Sequence, residues 1–425
     1  MYLQRLRIEQ FRSIESLEWK LPKGAKGPGW HVILGENGSG KSSVLRAVAL
    51  ALIGPEQSSG LQVNWNQWVR FGESHSRIRV ELAAARTKRA LDLRVVRKPF
   101  PSVVSAKRSD RSWSKPGPFA ASFGPFRRFS GGDARFDELL SSGVPFSAHL
   151  SLFNESVALG SAAQWLKSNA HEHLNSKQLD DAAGASLAEV ELNGRYHNEL
   201  SRSFWARAKL LKAVQTLLNQ EGFLPGEVSL EEITRERVVF RDGRGARVDV
   251  EQLSDGYRSI LSLVFELVRR AVLFAGPARA FSRDSTSIAV PGIVCIDEAD
   301  AHLHPRWQRE IGPWLCRLFP KIQFLVTTHS PFICQASEGA SVFQLSAEGG
   351  ARFVEGQELR RLQVGNVLEA YGTHAFGGLM TRSDSGLELV SELAALNARV
   401  LGGTRMTPRE RNRLRELKAL LPTAE

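Results

Sequence analysis

The segment Gly35-Glu36-Asn37-Gly38-Ser39-Gly40-Lys41-Ser42 constrains this chain more than any other, because it fits the pattern GxxxxGK[ST] in full. Such a loop joins a buried strand to a helix and turns backbone N–H groups toward an anion. Its glycines leave space for phosphate oxygens where a Cβ would block the approach. The pattern assigns Asn37, Gly38, Ser39, Gly40 and Ser43 to a phosphate cradle and Lys41 to the β- and γ-phosphates. It assigns the Ser42 hydroxyl to Mg²⁺. The flanks agree. Trp30-His31-Val32-Ile33-Leu34 reads as a short apolar strand, and apolar residues recur at helical spacing from Lys41 to Leu50. That helix would aim its positive dipole end at the phosphates.

A loop of this kind needs carboxylates close by. Ile293-Val294-Cys295-Ile296-Asp297-Glu298 is a continuous apolar run ending in two acids, as expected of a strand buried on both faces. Asp297 would hold Mg²⁺, directly or through water, and Glu298 would orient and deprotonate an attacking water. A further apolar strand, Ile322 to Thr328, ends at His329, whose neutral imidazole would reach the γ-phosphate or the water. Leu253-Ser254-Asp255-Gly256-Tyr257 opens a helix, with Ser254 placed to cap it and Gly256 leaving its first amides accessible.

Around these motifs the chain alternates between classes. The first 55 residues read as three strands, the loop and a helix. Arg77–Leu82 and Leu91–Val96 alternate like an antiparallel hairpin turning near Lys88 and Arg89. Residues 98–135 are rich in Pro, Gly, Ser and Arg and read as a long loop region. Residues 147–221 read as a compact helical insert, through Ala162–Lys167 and Leu200–Leu218, without the heptads of an extended coiled coil. Asp242-Gly243-Arg244-Gly245 predicts a hairpin turn, and helices alternate with strands from 253 to 335.

Net charge is +11, which favours a polyanionic partner. The basic clusters Lys88-Arg89, Arg94–Lys98, Lys107-Arg108 and Arg127-Arg128 are candidate DNA or partner surfaces. Phe100, Trp113, Phe119, Phe123 and Phe126 lie among them, as base-stacking groups or as anchors into the core. No apolar run is long enough to span a membrane, and the strand-like first residues differ from a signal peptide. Three scattered cysteines argue against a disulfide framework and for a reducing cytoplasm. His302 and His304, and the trio His171-Glu172-His173, lack the spacing of a metal site and read as loop and helix-surface residues.

Together these motifs resemble the ATP-binding-cassette ATPases of the SMC and RecF-like kind. Leu253–Tyr257 looks like that family's signature, Asp297–Pro305 like its magnesium segment and following loop, and Thr328-His329-Ser330 like its switch histidine. Ile8–Ile14 matches its first strand and turn. More narrowly, the chain is similar to AAA family ATPases of prokaryotic anti-phage defence loci, including Septu-type and retron-linked subunits. The resemblance implies an α/β fold: an ABC-type P-loop ATPase head with an antiparallel β subdomain. It also implies ATP and Mg²⁺ as cofactors, and a homodimer or larger homo-oligomer joined through its ATP heads, each signature serving the other copy's nucleotide. Asp255 and Tyr257 stand where transporter cassettes carry glycine and glutamine, which excludes a transporter-like partner. Gln67 and Gln164 are the candidates for the family's glutamine loop.

The expected division is 1–146 and 226–345 for the two halves of the head, 147–225 for the insert, and 346–425 for a strand and helical tail. Three functions fit. The first is an ATPase that senses or regulates a separate nuclease or toxin in phage defence, since no acidic cluster or HNH-like pattern follows residue 335. The second is a DNA-repair or recombination ATPase. The third is an assembly scaffold that holds ATP without turning it over.

Overall fold

Short apolar runs bounded by glycine and proline become parallel strands here, while alternating runs become a half-exposed antiparallel sheet. A computed structural model describes residues 1–84, 87–98, 103–106, 117–186, 194–336, 341–346, 350–376, 383–402 and 406–421. Within them lie two compact units, Met1–Val364 and Gly365–Glu425.

In the first unit, β1 (Tyr2–Phe11), β2 (Ile14–Lys20) and β3 (Gly29–Gly35) precede α1 (Lys41–Ile53). β4 (His75–Ala84), β5 (Thr87–Val96), β6 (Val103–Ala106) and β7 (Phe119–Phe123) follow. Then come α2 (Arg135–Ser141), α3 (Leu150–Phe153), α4 (Gly160–Ser186) and α5 (Gly194–Leu218). β8 (Ser229–Ile233), β9 (Val238–Arg241) and β10 (Arg247–Asp249) lead to α6 (Asp255–Ala275) and α7 (Pro277–Ala280). β11 (Gly292–Ile296), α8 (Pro305–Leu318), β12 (Ile322–Thr328) and α9 (Pro331–Gln335) come next. β13 (Ser341–Leu345), β14 (Ala351–Phe353) and α10 (Gly356–Val364) end the unit.

The main sheet runs β14-β13-β3-β12-β11-β7, and every neighbouring pair except β13–β14 is parallel. An antiparallel sheet, β2-β1-β4-β5-β6, lies beside it, and β10-β9-β8 makes a third. Leu6 and Ile8 of β1, Ile78 and Val80 of β4, and Leu91 and Leu93 of β5 turn inward to one core with Val44, Leu45 and Val48 of α1. The opposite face carries Arg–acid pairs such as Arg77–Asp92 at 2.5 Å. The fold is the expected α/β P-loop head, with an antiparallel β subdomain and the helical pair α4–α5.

The reading of 98–135 as loop is corrected by β7, which pairs in parallel with β11 at the edge of the main sheet. Its Phe119 and Phe123 are buried, so they anchor the core and do not stack on bases. Lys107, Arg108, Phe100 and Trp113 lie outside the described residues. Residues 147–159 also belong to the core, through Leu150, Leu152 and Val157. Asp242 closes the hairpin foreseen there, accepting from the amides of Arg244 at 2.9 Å and Ala246 at 2.8 Å.

The second unit holds α11 (Val367–Tyr371), α12 (Asp384–Leu401) and α13 (Pro408–Leu420). α12 and α13 close on Leu393, Leu396 and Leu417, and Arg413 bridges to Glu392 at 2.8 Å.

Core packing also sets a pH dependence. His149 is fully buried against the Ser122 hydroxyl, 2.7 Å from Nδ1, and burial first, then Arg270, pushes its pKa down to about 3. The folded value lies below the unfolded one, so the unfolded chain protonates first as pH falls. This group's stabilisation is complete above the ordinary histidine value and is lost progressively below it. We expect unfolding free energy to drop by about 2 kcal/mol from this residue between pH 7.5 and pH 5. Urea titrations of the protein and of His149→Asn check this; the variant should show a shallower pH slope.

Candidate nucleotide-binding site

The carboxyl ends of β3, β12 and β11 lie side by side, and the sequence motifs sit at those ends. β12 separates the loop strand from the acid strand, so its tip falls between phosphate cradle and carboxylates, where open α/β sheets bind ligands. A cleft of about 420 Å³ is lined by Asn37, Gly38, Gly40, Lys41, Ser42, Ser43, Glu298 and His329, with Arg12, Ser13 and Arg46. Four separate stretches of sequence thus meet in one place.

The loop has the backbone its glycines allow. Gly38 and Gly40 have φ of +80° and +97°, and a Cβ on Gly40 would meet the Ile14 side chain at 3.0 Å. Gly40 caps α1, leaving the first amides of the helix without a side-chain partner. Ser39 Oγ is buried with no hydrogen-bond partner among the described residues. Lys41 is buried and folds back, donating to the carbonyls of Gly35 and Glu36 at 2.8 Å each. Desolvation lowers its pKa, while Asp297, Glu298, Asp300 and Glu36 oppose that shift.

Asp297 is buried, and its Oδ1 accepts from Ser42 Oγ at 3.0 Å and Thr327 Oγ1 at 2.5 Å. A hydroxyl and a carboxylate oxygen this close are two adjacent hard-oxygen donors, the kind Mg²⁺ takes. No group of three or more His, Cys, Asp or Glu able to hold a metal occurs among the described residues. Glu298 is exposed at the cleft with φ of +45°. His329 is half-buried, and desolvation, then the Lys41 charge, lowers its pKa, which keeps the imidazole neutral at pH 7.

The segment Leu253–Tyr257, which resembles a cassette signature, lies elsewhere on the same chain. Ser254 and Tyr257 line a second cleft with Gly226, Asp242 and Arg244, and it shares no residue with the first. Ser254 occupies the cap position of α6, yet its hydroxyl makes no capping bond, contrary to the expected role. Gly256 is required by close packing, since a Cβ there would fall 2.7 Å from the Trp307 ring. Asp255 pairs with Arg258, which balances its charge. Gln67 and Gln164 are exposed, and neither lines the nucleotide cleft.

Several surface readings resolve structurally. His304 caps α8 through Nδ1, accepting from the Arg306 amide at 3.2 Å, and the His302 ring faces Phe126 at 6.4 Å. Glu172 pairs with Arg207 at 2.5 Å across α4 and α5. Arg127, expected on a basic surface, is instead buried among backbone carbonyls, whereas Arg128 is exposed. Arg12 and Arg46 were not singled out from sequence. Both guanidiniums stack on Trp68, at 4.9 and 5.7 Å, beside the cleft. No described helix is long and apolar enough to cross a membrane.

Residues 31–335 match the family described as "AAA domain, putative AbiEii toxin, Type IV TA system". The chain is 27% identical over 333 residues to the Septu protein PtuA of Bacillus mycoides (strain KBAB4), covering 78% of this chain and 38% of that protein. It is 32% identical over 189 residues to the Retron Ec83 probable ATPase of Escherichia coli, covering 44% of this chain and 32% of that one. It thus spans well under half the length of these relatives. Among solved structures, an Smc head domain from Pyrococcus furiosus bound to the C-terminal domain of ScpA aligns with a TM-score of 0.46 and 16% identity, over 83% of this chain and 96% of that one. RecF-ATPrS aligns with a TM-score of 0.45 and 12% identity, over 83% and 98%. With the family match extending over most of the chain and enclosing Gly35–Ser42, Asp297, Glu298 and His329, this protein belongs to the AAA-domain family of P-loop ATPases.

Proposed function

We propose that this chain binds ATP with Mg²⁺ in the cleft around Lys41, hydrolyses it, and uses that cycle to control a separate nuclease or toxin in prokaryotic phage defence. One observation carries the enzymatic part: a P-loop, an exposed carboxylate and a neutral imidazole share one cleft. Lys41 exchanges its two carbonyl partners for β- and γ-phosphate oxygens, and the open amides at the start of α1 take the rest of the charge. Ser42 and Asp297 would hold Mg²⁺, which would supply positive charge against the charge that develops on the phosphates. Glu298 orients water and accepts its proton, while His329 hydrogen-bonds the water or the γ-phosphate.

The exposed Ser254, whose hydroxyl makes no capping bond and which lies in a cleft separate from Lys41, supports nucleotide contact in trans. Two copies related by a two-fold axis would each complete the other's site, and hydrolysis would part them. The likeness to Septu and retron ATPases supports the defence role.

A net charge of +11 favours a second reading, an ATPase acting on DNA. Phosphate release by the purified protein tests both. The first reading expects Mg²⁺-dependent turnover that duplex DNA leaves unchanged. Salt-dependent stimulation by DNA would favour the second, and ATP bound but not hydrolysed over hours would favour a scaffold over both.

A further inference from the structure

Five parallel strands, β13, β3, β12, β11 and β7, run toward the nucleotide edge of the main sheet, and the functional reading uses three of them. Of the other two, β7 leads through Gly124 and Pro125 to Arg127, which is 4% exposed. We propose that Arg127 is a positioning residue for hydrolysis: its guanidinium fixes the Asp297–Ala301 backbone, and through it the Glu298 carboxylate, and ties that segment to the signature helix. This deepens the reading of Glu298 as the group that activates water, and rests on it.

The contacts are specific. Nη1 donates to the carbonyls of Asp297 at 2.9 Å and Gly124 at 3.1 Å, and Nη2 to that of Glu298 at 3.1 Å and, more weakly, Ala301 at 3.4 Å. Nε donates to Ser259 Oγ on α6, one turn beyond Ser254, at 3.2 Å. None of these bonds goes to a carboxylate. Burial brings the Arg127 pKa down to about 10, with Asp300, Asp297 and Glu298 opposing the fall, so the side chain stays charged at neutral pH.

A buried cation that meets only neutral acceptors is a costly way to fill space. Geometry supplies the reason for it. Glu298 and His302 have φ of +45° and +64°, a left-handed backbone that side-chain-bearing residues resist and that persists only where neighbours over-determine it. Thr327 supplies one side of that hold: its Oγ1 accepts from the Glu298 amide at 2.8 Å and its carbonyl from the Ala299 amide at 2.9 Å. Gln308 holds the far end, donating to the Leu303 carbonyl at 2.9 Å. Arg127 supplies the carbonyl side of the two acidic residues themselves. Because it also grips Ser259, movement of the helix that serves the other copy would reach the backbone carrying Glu298.

Arg127→Lys keeps the charge but has no planar fork to hold several carbonyls and Ser259 at once. In the full chain, kcat for ATP should fall about 10–100-fold, the scale of losing a group that orients a catalytic one. Affinity for a fluorescent ATP analogue should stay within about threefold, since Arg127 touches no nucleotide-facing atom. In the Glu298→Gln background the same change should cost no further single-turnover rate, because the group it positions is already gone. An unchanged kcat overturns the proposal. So does an equal loss in both backgrounds, or a parallel loss of ATP affinity, since each marks a general structural role. If Arg127→Lys does not fold, Ser259→Ala decides: reduced kcat with ATP binding intact supports the link, and unchanged kcat removes it. Absence of turnover in the unmodified protein would instead overturn the proposed function, before any variant is compared.

Discussion

Replacing Lys41 by alanine is expected to weaken ATP binding by at least about 10²-fold, the scale of removing one member of a buried charge pair. Lys41 is buried at the head of α1 with its ammonium held by two loop carbonyls, so a phosphate that displaces those carbonyls meets a desolvated charge. The fold itself should tolerate the change, because alanine favours the helix that begins there. Equilibrium binding of a fluorescent ATP analogue, with the melting temperature of the nucleotide-free variant as control, checks it. Affinity within about threefold of the unmodified protein would take Lys41 out of the site.

Glu298→Gln should give the opposite division of effects. Binding should remain, because the amide keeps the shape and Glu298 holds neither loop nor Asp297 by its side chain in the described contacts. Hydrolysis should slow by at least about 10²-fold, the usual contribution of a general base. Single-turnover phosphate release separates the two, and an unchanged rate would assign water activation to another group.

Much of the site was legible because its parts are local strings with strict geometry. Gly35–Ser42 needs left-handed glycines at fixed offsets, and the structure has them at Gly38 and Gly40. The strand that ends just before Asp297 is a continuous apolar run and the one that ends at Thr328 has an apolar centre, and five and seven consecutive residues of β11 and β12 are buried. β7 was not legible. Phe-Ala-Ala-Ser-Phe is five residues long, shows no alternation, and stands between a Pro- and Arg-rich stretch and a Gly-Pro turn. A short buried strand of that kind carries no periodic signal. Arg127 followed from the same omission: without a strand to deliver it inward, an Arg-Arg pair reads as surface, where most arginines lie. The only cue was the turn just before it. The role of Gly256 was also hidden, since the Trp307 ring that requires a glycine lies some fifty positions along the chain and meets it only through the packing of α8 on α6.

Sedimentation of Glu298→Gln with Mg²⁺ and either ATP or ADP tests most directly whether loop, acid strand, switch histidine and signature share one nucleotide between two copies. The mass should double with ATP and stay single with ADP, and Ser254→Arg, which blocks the approach of the signature, should abolish the doubling. A mass indifferent to nucleotide, in a protein shown to bind ATP, would contradict the shared site.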